Sequence, residues 1–169
     1  MRTLTFRRAF LRASPVLVVA CASAGPSPPP PPGFTLLPCP SANAAAAEAT
    51  VDESGDVLTV RGHSFRLHPG SVRRATRFRV ADRANGHAGV DIRPHGTVFG
   101  TPAELTISYA RCREAAARFT DLRIVEVRPG GTAIVGDPLP SRVDSTAMTV
   151  TAEIPHLSGY LVGGNRSAD

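Results

Sequence analysis

From residue 57 onward, apolar and polar residues alternate along the chain with a period of two. In one such run Phe65 and Leu67 fall on the same face, and Pro69-Gly70 ends the run. Runs of this kind, separated by turn residues, are typical of short strands that bury one face. The other residues expected on buried strand faces are Phe78, Val80, Leu105, Ile107, Tyr109, 122–127, 132–135, Met148, Val150, Ala152, Ile154, Tyr160 and Val162. About eight strands, with one short helix candidate at 111–119, predict an all-β antiparallel β-sandwich.

Residues 1–20 differ from the rest of the chain and have the composition of a targeting segment. They include no acidic residue and four arginines, Arg2, Arg7, Arg8 and Arg12. The apolar run 13–20 is interrupted by Pro15 and is too short to cross about 30 Å of hydrocarbon as a helix. We therefore expect residues 1–20 to be a signal peptide that does not belong to the folded domain.

Two motifs near this end resemble bacterial export and anchoring signals. The string Arg7-Arg8-Ala9-Phe10-Leu11 resembles a twin-arginine export signal, and Val18-Val19-Ala20-Cys21 resembles a lipobox. The second resemblance implies cleavage before Cys21 and attachment of a diacylglycerol to its sulfur. Each buried CH₂ of an acyl chain contributes about 0.8 kcal/mol, and more than one chain makes membrane attachment stable. We therefore expect a lipoprotein anchored in the bacterial cell envelope. Ala22, rather than aspartate, implies the outer membrane if the cell is Gram-negative.

Composition divides the expected mature chain into a linker and a domain. Five prolines at 28–32 are typical of a stiff polyproline II spacer. The alanine-rich stretch 41–50 is expected to be a frayed helix or disordered. The predicted boundaries are 21–55 for the lipidated cysteine and linker, 56–163 for the sandwich, and 164–169 for a tail.

The charge balance argues against a nucleic-acid partner. The 169-residue chain has a formal net charge of +5, but loss of residues 1–20 removes four of its 19 basic residues and none of its 14 acids. The mature net charge is therefore near +1, whereas nucleic-acid binding needs a large surplus of cations. A local surplus does occur within 61–83, where seven arginines accompany one acid, Asp82. This stretch predicts a solvated strand face or, alternatively, a surface that binds a polyanion or glycan through Arg73, Arg74, Arg77 and Arg79.

Lipidation of Cys21 would leave Cys39 and Cys112 as a pair. Outside the cytoplasm such a pair favours a disulfide, and two unpaired thiols are the alternative. Neither cysteine belongs to a close cluster of cysteine and histidine residues, so we expect no metal site at either. The histidines also lack metal-binding spacing; they are His63, His68, His87, His95 and His156.

Three strings within 56–163 resemble the ZU-five domain, a β-sandwich found in ankyrins, netrin receptors and bacterial exported proteins. Residues 62–72, which include Pro69-Gly70, resemble its opening strand and turn, and residues 95–109 resemble its middle. The string Ile154-Pro155-His156-Leu157-Ser158-Gly159-Tyr160 resembles its closing strand. The resemblance implies a non-catalytic interaction module. We therefore expect an anchored module that binds an unknown protein or glycan, without a cofactor and without enzymatic activity.

The closing string also suggests an alternative function. In some relatives of the ZU-five domain, a His-Phe-Ser string cleaves its own chain before the serine. The serine hydroxyl attacks a strained peptide bond while the histidine moves the proton. In this chain Leu157 replaces the phenylalanine, so His156 and Ser158 are the candidate residues. The competing interpretation is that both side chains make structural hydrogen bonds.

Overall fold

The structure, a computed structural model, describes residues 33–167. Two antiparallel sheets pack face to face, which confirms the predicted all-β sandwich. Four of the predicted features lie outside the described residues: the signal peptide at 1–20, the export arginines Arg7 and Arg8, the lipidation site Cys21, and the proline tract at 28–32.

Within residues 33–167, twelve strands form the two sheets. In chain order they are β1 (Phe34–Leu36), β2 (Ala46–Val51), β3 (Asp56–Val60), β4 (His63–Leu67), β5 (Thr76–Asp82), β6 (Gly89–Arg93), β7 (Val98–Ser108), β8 (Phe119–Val127), β9 (Ile134–Val135), β10 (Ser141–Asp144), β11 (Thr149–His156) and β12 (Gly159–Arg166). The first sheet has the order β2-β5-β6-β12-β8-β9, and β1 also pairs with β12. The second sheet has the order β10-β11-β7-β4-β3.

The inner faces of the two sheets carry the alternating apolar residues that the sequence predicts. Phe65 and Leu67 of β4, and Phe78 and Val80 of β5, are all buried. The ring centroid of Phe65 lies 6.0 Å from that of Phe78 in the opposite sheet and 6.1 Å from that of Phe99. Such pairs contribute about 0.5–1.5 kcal/mol beyond the area they bury. The chain has no tryptophan, and these rings pack within a core that is otherwise mostly aliphatic.

The sandwich begins earlier than the predicted boundary at residue 56. Strand β1 pairs with β12, and β2 pairs with β5 along its whole length, so two strands of the sheet lie within the expected linker. The alanine-rich stretch is a strand in which Ala47 and Ala49 pack against the core. Alanine side chains are small and favour helix, so their sequence carries little strand signal. Strand β12 likewise continues to Arg166, beyond the predicted end at 163.

The expected helix at 111–119 is much shorter in the structure. A 3₁₀ turn, Ala110–Cys112, leads into the single-turn helix α1 (Arg113–Ala116), and β8 begins at Phe119. Neither of these short segments has a side chain that caps its first turn, which is a common source of helix stability. In the described part of the chain, no helix combines the length and the apolar composition needed to cross a membrane.

The strand register defines two ends of the sandwich. At the end that we call the entry end, the chain enters from residue 33 and Phe34 lies opposite Asn165 near the end of β12. The opposite end, the distal end, includes the loops 68–75 and 94–97 and the turn 156–159 between β11 and β12. Backbone hydrogen bonds tie the 94–97 loop to the 156–159 turn and the 68–75 loop to the start of β7.

Candidate functional site

The four arginines of the predicted anion-binding surface fall into two pairs with different surroundings. Arg77 and Arg79 lie on the exposed face of β5, and both contact Glu48 of the neighbouring strand β2. Arg77 Nη2 lies 2.5 Å from Glu48 Oε2, and Arg79 Nε lies 3.1 Å from Glu48 Oε1. The hydrogen bond from Arg77, followed by its positive charge, lowers the pKa of Glu48 below its ordinary value. This pair therefore forms a solvated strand face whose charge is partly balanced.

Arg73 and Arg74 form the second pair, in the 68–75 loop. Both side chains are exposed, and no carboxylate within residues 33–167 lies in ion-pair distance of either. They line a pocket of about 350 Å³ at the distal end, which we call the Ser71 pocket. Its other walls include Ser71, Thr76, Thr97, Val98 and Phe99. Arg73 and Arg74 are thus the two of the four that have no acidic partner in the described structure.

Ser71 is a buried residue whose hydroxyl has no hydrogen-bond partner among the described residues. The residue is 2% exposed and its Oγ is unpaired. Its backbone is bonded on both sides, because its N–H donates to the His68 carbonyl over 3.0 Å and its carbonyl accepts from the Gly100 N–H over 3.2 Å. An unpaired buried hydroxyl costs about 1–3 kcal/mol. Sequence reasoning missed Ser71, since the burial of a loop serine depends on packing against β7.

The candidate self-cleavage residues, His156 and Ser158, each have a partner elsewhere. His156 Nε2 lies 3.0 Å from Glu126 Oε2. The Ser158 hydroxyl is buried and donates to the Val127 carbonyl over 3.1 Å. The Tyr160 hydroxyl donates to the His156 carbonyl over 2.6 Å, and burial raises the pKa of Tyr160 above its ordinary value. These bonds favour a structural role for His156 and Ser158 over attack on the Leu157-Ser158 bond.

We expect the purified protein to give a single mass with the Leu157-Ser158 bond intact. The Ser158 hydroxyl donates to Val127 instead of facing a base, so no proton acceptor prepares it for attack. Intact-mass spectrometry of the wild type and of Ser158→Ala, kept for days at room temperature, makes the comparison. A fragment beginning at Ser158 that forms in the wild type and not in Ser158→Ala would show that the domain cleaves itself.

The structure joins Cys39 to Cys112, the pairing that the sequence favours. The Cα atoms are 4.6 Å apart and the residues are separated by 73 positions in the chain. Cys39 lies in the segment between β1 and β2, whereas Cys112 ends the 3₁₀ turn before α1. The bond therefore ties the first part of the described chain to the connection between β7 and β8.

A second polar site, which sequence reasoning did not predict, lies between the two sheets near this disulfide. Asp82 is at the end of β5, and its side chain is inaccessible to solvent. Its Oδ1 lies 3.1 Å from His63 Nε2, and its Oδ2 lies 3.0 Å from Arg111 Nη1 and 3.5 Å from Arg61 Nε. We call these four residues the Asp82 cluster.

Local structure positions each partner of Asp82. Arg61 and Gly62 form the two-residue turn between β3 and β4 with φ values of 49° and 79°, and positive φ at both residues is characteristic of a type I′ hairpin. His63 is buried as the first residue of β4. Arg111 comes from the 3₁₀ turn, and its Nε also donates to Cys39 Sγ over 3.2 Å. The cluster therefore links both sheets to the disulfide.

His63 has both ring nitrogens engaged. Its Nδ1 accepts from the Ser108 N–H over 3.1 Å, so the proton lies on Nε2, which donates to Asp82. Burial lowers the pKa of His63 below its ordinary value; the bond and charge of Asp82 oppose this shift, and the charge of Arg111 adds to it. Neither nitrogen is free to take a proton from a substrate. The cluster is therefore suited to holding β4, β5 and the 3₁₀ turn together.

We expect the protein to lose stability as the pH falls below the ordinary histidine pKa of about 6.5. The pKa of His63 is lowered in the folded state, so the unfolded chain takes up a proton in this range before the folded chain does. The stabilisation is therefore complete above about pH 6.5 and declines below it. The free energy of unfolding, measured with urea between pH 7.5 and 5.5, should fall more steeply with decreasing pH for the wild type than for His63→Gln. Identical pH slopes for the two proteins would refute this role of His63.

Each of the other histidine contacts joins one imidazole to one carboxylate, and Asp91 also contacts Arg93. His95 Nε2 lies 3.0 Å from Asp91 Oδ1, and His156 contacts Glu126 as described above. Among residues 33–167, no three side chains of histidine, cysteine, aspartate or glutamate are arranged to hold a metal ion. These two pairs lie at the distal end of the sandwich, as the Ser71 pocket does.

Comparison with protein-family models gives no match for this chain, and comparison with curated proteins gives none either. The resemblance of its three strings to the ZU-five domain accordingly stays a prediction. A proposal for the function of this chain therefore rests on the residues and contacts described above.

Proposed function

We propose that the chain is a lipid-anchored, non-catalytic binding module of the bacterial cell envelope. The lipobox-like string ending at Cys21 supports the anchor, and the twin-arginine-like string supports export. A disulfide between Cys39 and Cys112 is compatible with an oxidising compartment outside the cytoplasm. The resemblance to the ZU-five domain supports a role in interaction with a protein or glycan.

The observation that carries this proposal is that the entry end and the Ser71 pocket lie at opposite ends of the sandwich. The twelve residue steps from Cys21 to Gly33 span at most about 40 Å when fully extended. An anchor at Cys21 would hold the entry end nearer to the membrane. The distal end, with Arg73 and Arg74, would then face away from the membrane and be accessible to partners.

The described polar sites support binding in preference to catalysis. In the Asp82 cluster both nitrogens of His63 are occupied, and the Ser158 hydroxyl is bonded to a backbone carbonyl. By contrast, Arg73 and Arg74 are exposed cations beside a pocket. Exposed charges at the loops of a rigid β-sandwich are a common means of recognising a partner.

Cys21→Ala is expected to move most of the protein from the membrane fraction to the soluble fraction. Without the sulfur no acyl chain can be attached, and the hydrophobic contribution of the acyl chains, about 0.8 kcal/mol for each buried CH₂, is lost. Cell fractionation followed by immunoblotting measures the distribution. Labelling with radioactive palmitate should mark the wild type and not Cys21→Ala.

A substitution two positions away serves as the control for this experiment. Ser23→Ala preserves the cysteine and should leave the protein in the membrane fraction with its label. If wild-type protein never incorporates palmitate, or if Cys21→Ala stays in membranes as fully as the wild type, the chain has no lipid anchor at this residue.

A further inference from the structure

We propose that the Ser71 pocket binds the oxyanion of an acidic saccharide. In this complex Arg73 and Arg74 pair with the anionic oxygens, and the Ser71 hydroxyl donates to one of them. The inference rests on the proposed binding function and narrows it to one pocket and one class of ligand. The acidic group is a phosphate, sulfate or carboxylate carried by a sugar ring.

Charge is the first argument for an anionic ligand. Arg73 and Arg74 are adjacent and exposed, and no carboxylate within residues 33–167 pairs with either. The next arginines along the chain, Arg77 and Arg79, share the single carboxylate of Glu48. Among these four arginines and their one ion-pair partner, positive charge therefore exceeds negative charge. Guanidinium groups suit oxyanions because their N–H donors match the spacing of two oxygen atoms.

The unpaired hydroxyl of Ser71 is the second argument, and it is independent of charge. Ser71 lines the pocket and its hydroxyl is buried, so a ligand oxygen reaches the hydroxyl when the 68–75 loop shifts. Its neighbours Arg73, Arg74 and Ala75 are exposed and have little packing to lose when they move. A hydrogen bond to an anionic oxygen would remove the cost of leaving the buried hydroxyl unpaired.

The shape and lining of the pocket favour a sugar over a free ion. A volume of about 350 Å³ is larger than one oxyanion requires. Val98 at the pocket is 76% exposed, the highest value among the large apolar side chains that the structure describes. The hydroxyls of Thr76 and Thr97 donate to backbone carbonyls, which leaves their oxygens as acceptors. A sugar ring matches this lining, because its C–H face can pack on Val98 while its hydroxyls donate to the threonines.

Calorimetric titration of the purified full chain in detergent tests the proposal. The probes are glucose 6-phosphate, glucose 6-sulfate, glucuronate, uncharged glucose and tetraglutamate. At least one acidic sugar should bind about tenfold more tightly than glucose, and added salt should weaken the binding. Arg73→Ala and Ser71→Ala should each weaken it about tenfold. Arg118→Ala removes an exposed arginine at the other end of the sandwich and should leave the affinity for the acidic sugar unchanged.

Several results would overturn the inference. The inference is wrong if no acidic sugar binds, if glucose binds as tightly as the acidic sugars, or if Arg73→Ala and Ser71→Ala leave the affinity unchanged. Equally tight binding of tetraglutamate would overturn the assignment to saccharides. Circular dichroism confirms that each variant is folded, and Arg73→Ala changes only an exposed side chain. The titration does not depend on the lipid anchor, so its failure leaves anchoring intact, whereas retention of Cys21→Ala in membranes would contradict the anchor alone.

Discussion

Replacing both Cys39 and Cys112 with alanine is expected to lower the free energy of unfolding by about 4 kcal/mol. The disulfide spans 73 positions of the chain, and removing it returns conformational freedom to the unfolded state. In the folded state it ties the segment between β1 and β2 to the turn before α1. Urea unfolding of the wild type and the double variant measures the loss.

A reducing agent provides the control for the disulfide experiment. It should lower the urea midpoint of the wild type towards that of the double variant, and it should not change the midpoint of the double variant. A wild-type midpoint that is the same with and without reductant, when both samples start from the unfolded state, would show that the two cysteines are not bonded in the protein.

Asp82→Asn is expected to lower the free energy of unfolding by about 3 kcal/mol. The substitution keeps the size of the side chain but removes the charge that Arg61 and Arg111 contact at a position with no solvent access. Both arginines keep partial exposure, so the expected loss is at the low end of the range for breaking a buried ion pair. Chemical denaturation at pH 7 gives the value.

Glu48→Gln is the matched control for Asp82→Asn. Glu48 also contacts two arginines, Arg77 and Arg79, but its side chain is 39% exposed. Water screens an exposed pair, so this variant should lose only a small fraction of the stability that Asp82→Asn loses. Equal losses of unfolding free energy in the two variants, or no loss in Asp82→Asn, would show that burial does not increase the contribution of the Asp82 cluster to stability.

The alternation along the chain predicted the buried faces of the strands and also included a signal for the Asp82 cluster. His63 lies two positions before Phe65, and Asp82 lies two positions after Val80, so both polar residues continue a buried face. What alternation does not specify is that β4 and β5 face each other across the core. The hydrogen bond between His63 and Asp82 depends on how the two sheets pack, which is a property of the whole fold.

The remaining parts of the candidate sites lie where periodicity gives no information. Arg111 and Ser71 belong to connections, and their positions depend on contacts distant in sequence, with Cys39 and Gly100 respectively. Strand β2 was missed for another reason: Ala47 and Ala49 bury so little apolar surface that composition indicated a helix or disorder. Pairing with β5, which is rich in β-branched and aromatic residues, overrides that preference.

Mass spectrometry of the native protein, extracted from cell membranes, tests the central claim most directly. A lipid-anchored binding module should yield a chain that begins at Cys21, has acyl chains linked through its sulfur, and continues unbroken through Leu157-Ser158. Recovery of the chain from cytosol, with residues 1–20 present and no lipid attached, would contradict the account.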